Sequence, residues 1–278
     1  MSEVTAHHGL FKNTKLHVDD TGGPGRPVVL IHGWPLSGEA FNLQVPALVE
    51  AGYRVITYDR RGFGRSDKPM TGYTYDTLAE DLHDLITELD LTDVTLVGFS
   101  MGGGEVARYC STYASERIRS VVFASAVTPY LMQGDDNPDG PLTTEQAATM
   151  TKDLTKDQDA FYDQFATDFF TANGQLTVTE QQRQEAIALA HQADKKAALA
   201  CMAAFGNTDF REDLTTIKVP TLVLHGDADF VVFYEGSGAR THTAIPHSTL
   251  HVIAGGPHGC NVSHTEKWNT TVINFLAA

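Results

Sequence analysis

Short apolar runs rich in β-branched residues punctuate the chain: Val28-Val29-Leu30-Ile31, Val55-Ile56-Thr57-Tyr58, Val94 to Val97, Ile118 to Phe123, Thr221-Leu222-Val223-Leu224 and Leu250-His251-Val252-Ile253. Alternating with helical patterns, such runs predict strands of a parallel sheet covered on both faces. Between the second and third runs, Tyr75, Leu78, Leu82, Leu85, Ile86 and Leu89 recur at helical spacing, with Thr77 and Glu80 placed like a capping box. This segment predicts a crossover helix. The alternation stops near Ser125 and resumes near Pro220, leaving about ninety residues with helical signals and no convincing strand. The pattern therefore predicts an α/β core domain over 1–125 and 213–278, interrupted by a helical cap over 126–212. Within the cap, Thr143 with Gln146 and Thr179 with Gln182 mark helix starts, and Phe161, Phe165 and Phe169 share one helical face. That aromatic stripe can line an acyl pocket, although packing of a helix on its core is the commoner reason for one.

Composition narrows the partners. A chain of 278 residues, 42% hydrophobic and 20% charged, can bury a full core. Its formal net charge of −15, with no local block of lysines or arginines, argues against nucleic acid and against acidic membrane surfaces. Met1 to Thr5 shows no basic region leading into an apolar stretch, and no apolar run approaches the ~20 residues that cross a bilayer. A soluble, cytoplasmic protein is expected. Cys110, Cys201 and Cys260 are odd in number and widely spaced, which fits neither a disulfide framework nor a metal site. Oligomeric state, a homo-oligomer included, stays open.

In open parallel sheets, ligands meet the loops at the carboxyl ends of the strands. Four such loops carry chemistry here. Gly98-Phe99-Ser100-Met101-Gly102 follows the third run and opens a helical stretch to Tyr109, the pattern of a nucleophile elbow. A serine hydroxyl needs a base and a preformed oxyanion site. His258, in Gly255-Gly256-Pro257-His258-Gly259, is the candidate base, because a loop of small residues after the last strand lets the imidazole reach the elbow. Both Asp227 and Asp229 follow the fifth run. Asp229, farther past the strand, is the favoured acid, and Asp227 is placed to cap backbone amides. The segment Ala124-Ser125-Ala126 offers no acid in their place.

His32 and His225 also follow strands, but each precedes a turn glycine and reads as a hydrogen-bonded loop anchor. His7, His8 and His17 read as surface groups. The N–H of Met101 and that of Trp34, in His32-Gly33-Trp34-Pro35, are the candidate oxyanion donors, and Pro35 leaves its carbonyl free to accept. Asp135, Asn137, Asp139 and Gly140 imitate a calcium loop, but Gln146 stands where the bidentate glutamate belongs, so a solvated turn is expected. Gly102, Gly104 and Ala107 imitate a dinucleotide fingerprint without the ribose-binding acid. No zinc-protease or paired-cysteine spacing supports a catalytic metal.

At these positions the chain resembles the α/β-hydrolase superfamily, and more narrowly its bacterial arylesterase, perhydrolase and cofactor-free haloperoxidase group. The likeness runs from His32 to Gly38, through Tyr58-Asp59-Arg60-Arg61-Gly62-Phe63-Gly64-Arg65-Ser66 and Gly98 to Tyr109, and continues at Asp136 to Gly140, His225 to Asp229 and Pro257 to Gly259. It implies a mostly parallel sheet of about eight strands flanked by helices, with an inserted helical cap. It also implies ester hydrolysis through an acyl-serine on small or aryl esters, without metal, haem or other cofactor. Hydrogen peroxide can replace water there and yield a peracid that oxidises halides, and Pro35 is the residue that biases relatives towards this chemistry. Trp34, Phe99, Met101, Val231 and Val232 fall at acyl-pocket walls, and Pro35, Phe161 and Phe165 join them as candidate substrate contacts. One departure is Phe233, where relatives usually carry proline, which bears on the rigidity of the acid loop and the size of the pocket. The same triad also serves amidases, lactamases and carbon–carbon bond hydrolases. A hydrolase-like receptor would keep it with little turnover.

Overall fold

The computed structural model describes residues 2–8, 12–113 and 116–278. An antiparallel hairpin, β1 (Ser2–His8) and β2 (Lys12–Asp20), precedes the first predicted run. The first four runs become β3 (Pro27–Ile31), β4 (Arg54–Tyr58), β5 (Val94–Phe99) and β6 (Ile118–Ala124). Between them lie a 3-10 turn at Gly38–Phe41 and the helices α1 (Val45–Glu50), α2 (Tyr75–Glu88) and α3 (Met101–Tyr113). After β6 come α4 (Thr144–Lys156), α5 (Gln158–Phe170), a small hairpin of β7 (Thr171–Ala172) and β8 (Gln175–Leu176), α6 (Glu180–Ala190) and α7 (Lys195–Asn207). The chain then returns to the sheet through α8 (Arg211–Thr216), β9 (Thr221–Gly226), α9 (Gly238–Ala244) and β10 (Thr249–Ile253), and closes with α10 (Cys260–Ser263) and α11 (Thr265–Ala277).

Eight strands form one sheet in the order β1-β2-β4-β3-β5-β6-β9-β10, parallel from β4 to β10 and antiparallel at the β1-β2 and β2-β4 pairs. Successive residues of a strand face opposite sides. Val29, Ile31, Ile56 and Leu96 accordingly pack with Leu78, Leu82 and Val106 of α2 and α3, while Val28, Leu30 and Val97 pack with Trp268, Val272 and Leu276 of α11. Burial on both faces is why these strands read as continuous apolar runs. Among the described residues, no helix is long and apolar enough to cross a membrane.

Several sequence expectations change. β1 and β2 bury one face only, with Val4, Ala6, Leu16 and Val18 inward, so their polar alternation hid them from a search for apolar runs. His17 is accordingly half-buried on β2 and bonded to Asp19 at 3.2 Å, not a free surface group, whereas His7 is exposed. The expectation for the His8 side chain lies outside the described residues. Helix α2 is capped by Thr74, whose hydroxyl accepts the Thr77 N–H, and not by the Thr77 and Glu80 pair. Both capping boxes foreseen at Thr143/Gln146 and Thr179/Gln182 are present. The loop at 136–140 is anchored rather than solvated: Asn137 is buried, donates to the Tyr130 and Met132 carbonyls, and accepts from Arg240. The segment taken as all-helical carries the β7-β8 hairpin, and α8 straddles residue 212 while packing on α3, where Arg108 meets Asp213 at 3.1 Å.

Beneath the sheet's carboxyl edge, Arg60 and Glu105 form a buried ion pair, with the two side chains 1% and 0% exposed. Tyr58 donates to Glu105 at 2.6 Å, and the Arg60 guanidinium donates to the His32 carbonyl at 2.6 Å. Burial pushes the Glu105 carboxyl above its ordinary value, against the pull of the Arg60 charge. Removing one partner of such a pair strands the other. Glu105→Ala should lower the unfolding free energy in urea titrations by about 3–5 kcal/mol. Arg119→Ala, which breaks the exposed pair with Asp93, should cost less than about 1 kcal/mol.

Candidate active site

The elbow is held by close packing. β5 runs into α3 through Ser100, whose φ is +54°, a left-handed conformation that non-glycine residues rarely adopt. Turning this sharply brings backbone against backbone. A Cβ on Gly98 would lie 2.5 Å from the Gly102 carbonyl oxygen, and one on Gly102 would lie 2.4 Å from that of Ile31. Only glycine fits on either side of the serine. Ser100 therefore stands at the N-terminus of α3, where the helix dipole favours negative charge.

His258 reaches this hydroxyl from the loop after β10. Its Nε2 lies 2.9 Å from Ser100 Oγ, and its Nδ1 lies 2.7 Å from Asp229 Oδ2. All three side chains are buried. The loops after β9 and β10 are tied to each other: Ala228 N–H donates to the Gly256 carbonyl at 3.1 Å, and Asp227 Oδ1 accepts the Gly255 N–H at 2.6 Å. Asp227 thus holds a turn while Asp229 meets the histidine. The imidazole is packed between Phe99 and Phe169, with ring centroids at 5.2 and 5.0 Å.

Asp229 Oδ1 accepts the N–H groups of Val231 and Val232 at 2.9 and 2.7 Å, and His225 Nε2 stands 3.2 Å from Oδ2. Burial alone would raise this carboxyl. The His258 charge and the hydrogen bonds from His225 and His258 outweigh it and hold the group at about 2. An ionised carboxylate only accepts, so His258 Nδ1 carries the hydrogen and a neutral ring turns its Nε2 lone pair to Ser100. By the same rule His225 Nε2 carries a hydrogen, since its second neighbour is the Val232 carbonyl at 2.8 Å.

The 32–38 loop lies against the elbow: a Cβ on Gly33 would be 2.9 Å from Ser100 Cβ. His32 anchors it as expected, with Nδ1 donating to the Gly33 carbonyl at 2.8 Å and Nε2 accepting the Arg60 N–H at 2.9 Å. Burial and the Arg60 charge push His32 well below its ordinary value, so the ring is neutral. Asp59 adds a bond to the Gly38 N–H at 2.8 Å. Backbone bonds in the elbow and this loop include Gly103 N–H to the Ser100 carbonyl, Ser100 N–H to the Ala124 carbonyl and Leu36 N–H to the Gly33 carbonyl. The Trp34-Pro35 peptide is cis.

A cavity of about 440 Å³ opens onto Ser100, walled by Trp34, Val127, Phe165, Phe205, Val231 and Val232. Phe230 and Phe233, 53% and 41% exposed, also line it. Phe161 lies behind this lining, against Trp34 and stacked on Phe165. Phe99, Met101 and Pro35 are buried beside or beneath Ser100 and do not line the cavity. Trp34 ties the 32–38 loop to α5 and α7: its Nε1 donates to the Ala198 carbonyl at 2.9 Å, and its ring meets Phe161, Tyr162, Phe165 and Phe205 edge-on.

Sequence reasoning assigned no role to Arg60, Glu105 or Asp59, and gave His225 only that of a loop anchor. Their signals were present, as charged residues at apolar positions after β4 and inside α3, but what they brace is distant in the chain.

A family model for the alpha/beta hydrolase fold matches residues 26–265, and the chain belongs to that family. It is 43% identical over 257 residues to a non-heme chloroperoxidase of Kitasatospora aureofaciens, which spans 91% of this chain and 93% of that one. A bifunctional esterase/perhydrolase of Acinetobacter calcoaceticus is 34% identical over 284 residues, 99% of each chain. Among solved structures, a bromoperoxidase from Bacillus anthracis matches with a TM-score of 0.96 at 50% identity, with 100% of both chains covered. The protein is thus an α/β hydrolase, as its motifs indicate.

The depressed Asp229 value has a consequence for stability. A carboxyl that titrates lower in the folded than in the unfolded chain stabilises the fold above its unfolded value, 3.8, and loses that contribution as pH falls through about 2. The difference in unfolding free energy between wild type and Asp229→Asn should therefore be constant near neutral pH and shrink in favour of the variant by about 2 kcal/mol between pH 5 and pH 2. Urea titrations at stepped pH measure it, and a pH-independent difference would contradict the assignment.

Proposed function

We propose that this α/β hydrolase is a serine esterase acting on small or aryl esters through an acyl-serine, and that hydrogen peroxide competes with water for the acyl group. The observation that carries the proposal is the unbroken hydrogen-bonded chain from Asp229 through His258 to Ser100 at the floor of an apolar cavity. His258 takes the Ser100 proton as Oγ attacks the ester carbonyl, and the fixed carboxylate of Asp229 stabilises the imidazolium that results. The developing oxyanion is received by the N–H groups of Met101 and Trp34, at the start of α3 and in the loop packed on Ser100. His258 then returns the proton to the departing alkoxide. Water or peroxide enters, gives a proton to His258 and attacks the acyl carbon. The released product is a carboxylic acid in the first case and a peracid in the second. A peracid oxidises halide in solution, which accommodates both the chloroperoxidase and the esterase/perhydrolase names of the relatives.

In this reading residues 126–212 form the cap, with Phe165 and Phe205 supplying its side of the cavity, while Val231, Val232 and Trp34 supply the core side. Pro35, in the turn against the elbow, contributes a carbonyl that accepts from peroxide at the acyl-enzyme. The substrates are small molecules, and neither metal nor organic cofactor takes part. The proposed location is the cytoplasm.

Ser100→Ala should lower p-nitrophenyl acetate turnover by about a millionfold. Substantial hydrolysis by a correctly folded variant would remove the serine from the mechanism. Pro35→Leu should lower the ratio of peracid formation to ester hydrolysis, read as bromide oxidation against p-nitrophenol release. An unchanged ratio would reduce Pro35 to a turn residue.

A further inference from the structure

Ester hydrolysis gives no task to the thioether in the cavity wall. Met150, on α4, lines both the Ser100 cavity and a separate groove between α4 and α7. Met132 and Met202 line that groove, with the Thr151 hydroxyl 4.0 Å from Met202 Sδ. Met150 is the only thioether among the residues lining the Ser100 cavity. Met70 lies elsewhere and is 70% exposed, whereas Met101 is buried. Exposure to solvent therefore places Met70 first for attack by an oxidant from bulk, and sharing the Ser100 cavity places Met150 first for one formed there.

We propose that Met150 is a site of turnover-dependent self-oxidation, in which peracid formed at Ser100 transfers its terminal oxygen to Met150 Sδ before leaving the cavity. This rests on the perhydrolase reading above. The S–O bond forms as the peracid O–O bond breaks. Sulfur supplies the electron pair and is oxidised to the sulfoxide, and the peracid is reduced to the carboxylic acid, with its peroxy proton passing to the carboxylate oxygen. Hydrogen peroxide is the oxidant consumed overall. Trp34, the other oxidisable side chain of the cavity, is buried with its Nε1 bonded to Ala198. A sulfoxide is polar, and beside Leu131, Leu142 and Phe205 it weakens the binding of apolar esters. Perhydrolysis thereby limits itself, while hydrolysis in the absence of peroxide does not.

The test follows oxygen addition at Met150 and Met70 by peptide mass spectrometry in the full chain. One sample turns over p-nitrophenyl acetate with hydrogen peroxide, in buffer containing excess free methionine to consume escaped peracid. A second receives peracetic acid directly, without ester or free methionine. Met150 should be modified about fivefold faster than Met70 during turnover, and Met70 about fivefold faster than Met150 under added peracid. In Ser100→Ala with ester and peroxide, Met150 oxidation should fall to the rate with peroxide alone. Met150→Leu, close to volume-conserving, should retain a larger share of its own initial rate through repeated perhydrolytic turnover. Met70 leading in both samples, or Met150 oxidation unaffected by Ser100→Ala, would overturn the proposal. Peracid detected by bromide oxidation with Met150 still reduced defeats the self-oxidation alone. Absence of peracid defeats the perhydrolase reading and this proposal with it.

Discussion

A buried carboxylate that stays ionised is the constraint on which the site depends. Asp229 has lost its water, and desolvation of that kind drives a carboxyl towards its neutral form. It remains charged because it is surrounded by donors: the Val231 and Val232 amides, His258 Nδ1 and His225 Nε2. Val231, Val232 and His258 are delivered by the loops after β9 and β10 and His225 by the end of β9 itself, so the electrostatics of one oxygen pair and the geometry of the sheet edge are the same problem. Were Asp229 neutral, its proton could occupy the contact with Nδ1, and nothing would hold the imidazole in the form that points a lone pair at Ser100.

The opposite side of the site is kept in place by a second buried charge system. Arg60 and Glu105 are paired with negligible exposure, and Arg60 uses its guanidinium and its backbone N–H to hold both the carbonyl and the ring of His32. Asp59 pins Gly38 farther along the same loop. None of these residues is among those lining the Ser100 cavity. They hold in place the turn that contains Trp34. Trp34 then carries this order upward, since its ring is clasped by residues from α5 and α7. Phe169 of α5 adds a second tie, packing on Phe99 and His258.

Much of the fold was legible because parallel strands buried on both faces must be apolar throughout, and every one of the six runs formed a strand. β1 and β2 escaped for the complementary reason: with one solvated face, they alternate the inward Val4, Ala6, Leu16 and Val18 with outward polar residues such as Glu3 and Lys15. The Thr77/Glu80 signal misplaced the start of α2 because a threonine one turn earlier satisfies the same amide requirement. The Asp136 to Gly140 loop looked solvated from its polarity, yet Asn137 is buried where backbone carbonyls need its donors.

By itself the sequence determined what is local. Glycines flanking Ser100 dictate the sharp turn, strand-end loops hold Asp229 and His258, and the shorter reach of Asp227 leaves it with the Gly255 amide. Tertiary structure alone decided what depends on contacts between distant segments. That His225 shares Asp229 with His258, that Arg60 and Glu105 brace the Trp34 turn, and that Phe165 faces the cavity while Phe161 stands behind it, all follow from the packing of one element against another. Spacing along a helix or strand fixes the face on which a side chain lies, and only the neighbouring element fixes what that face meets.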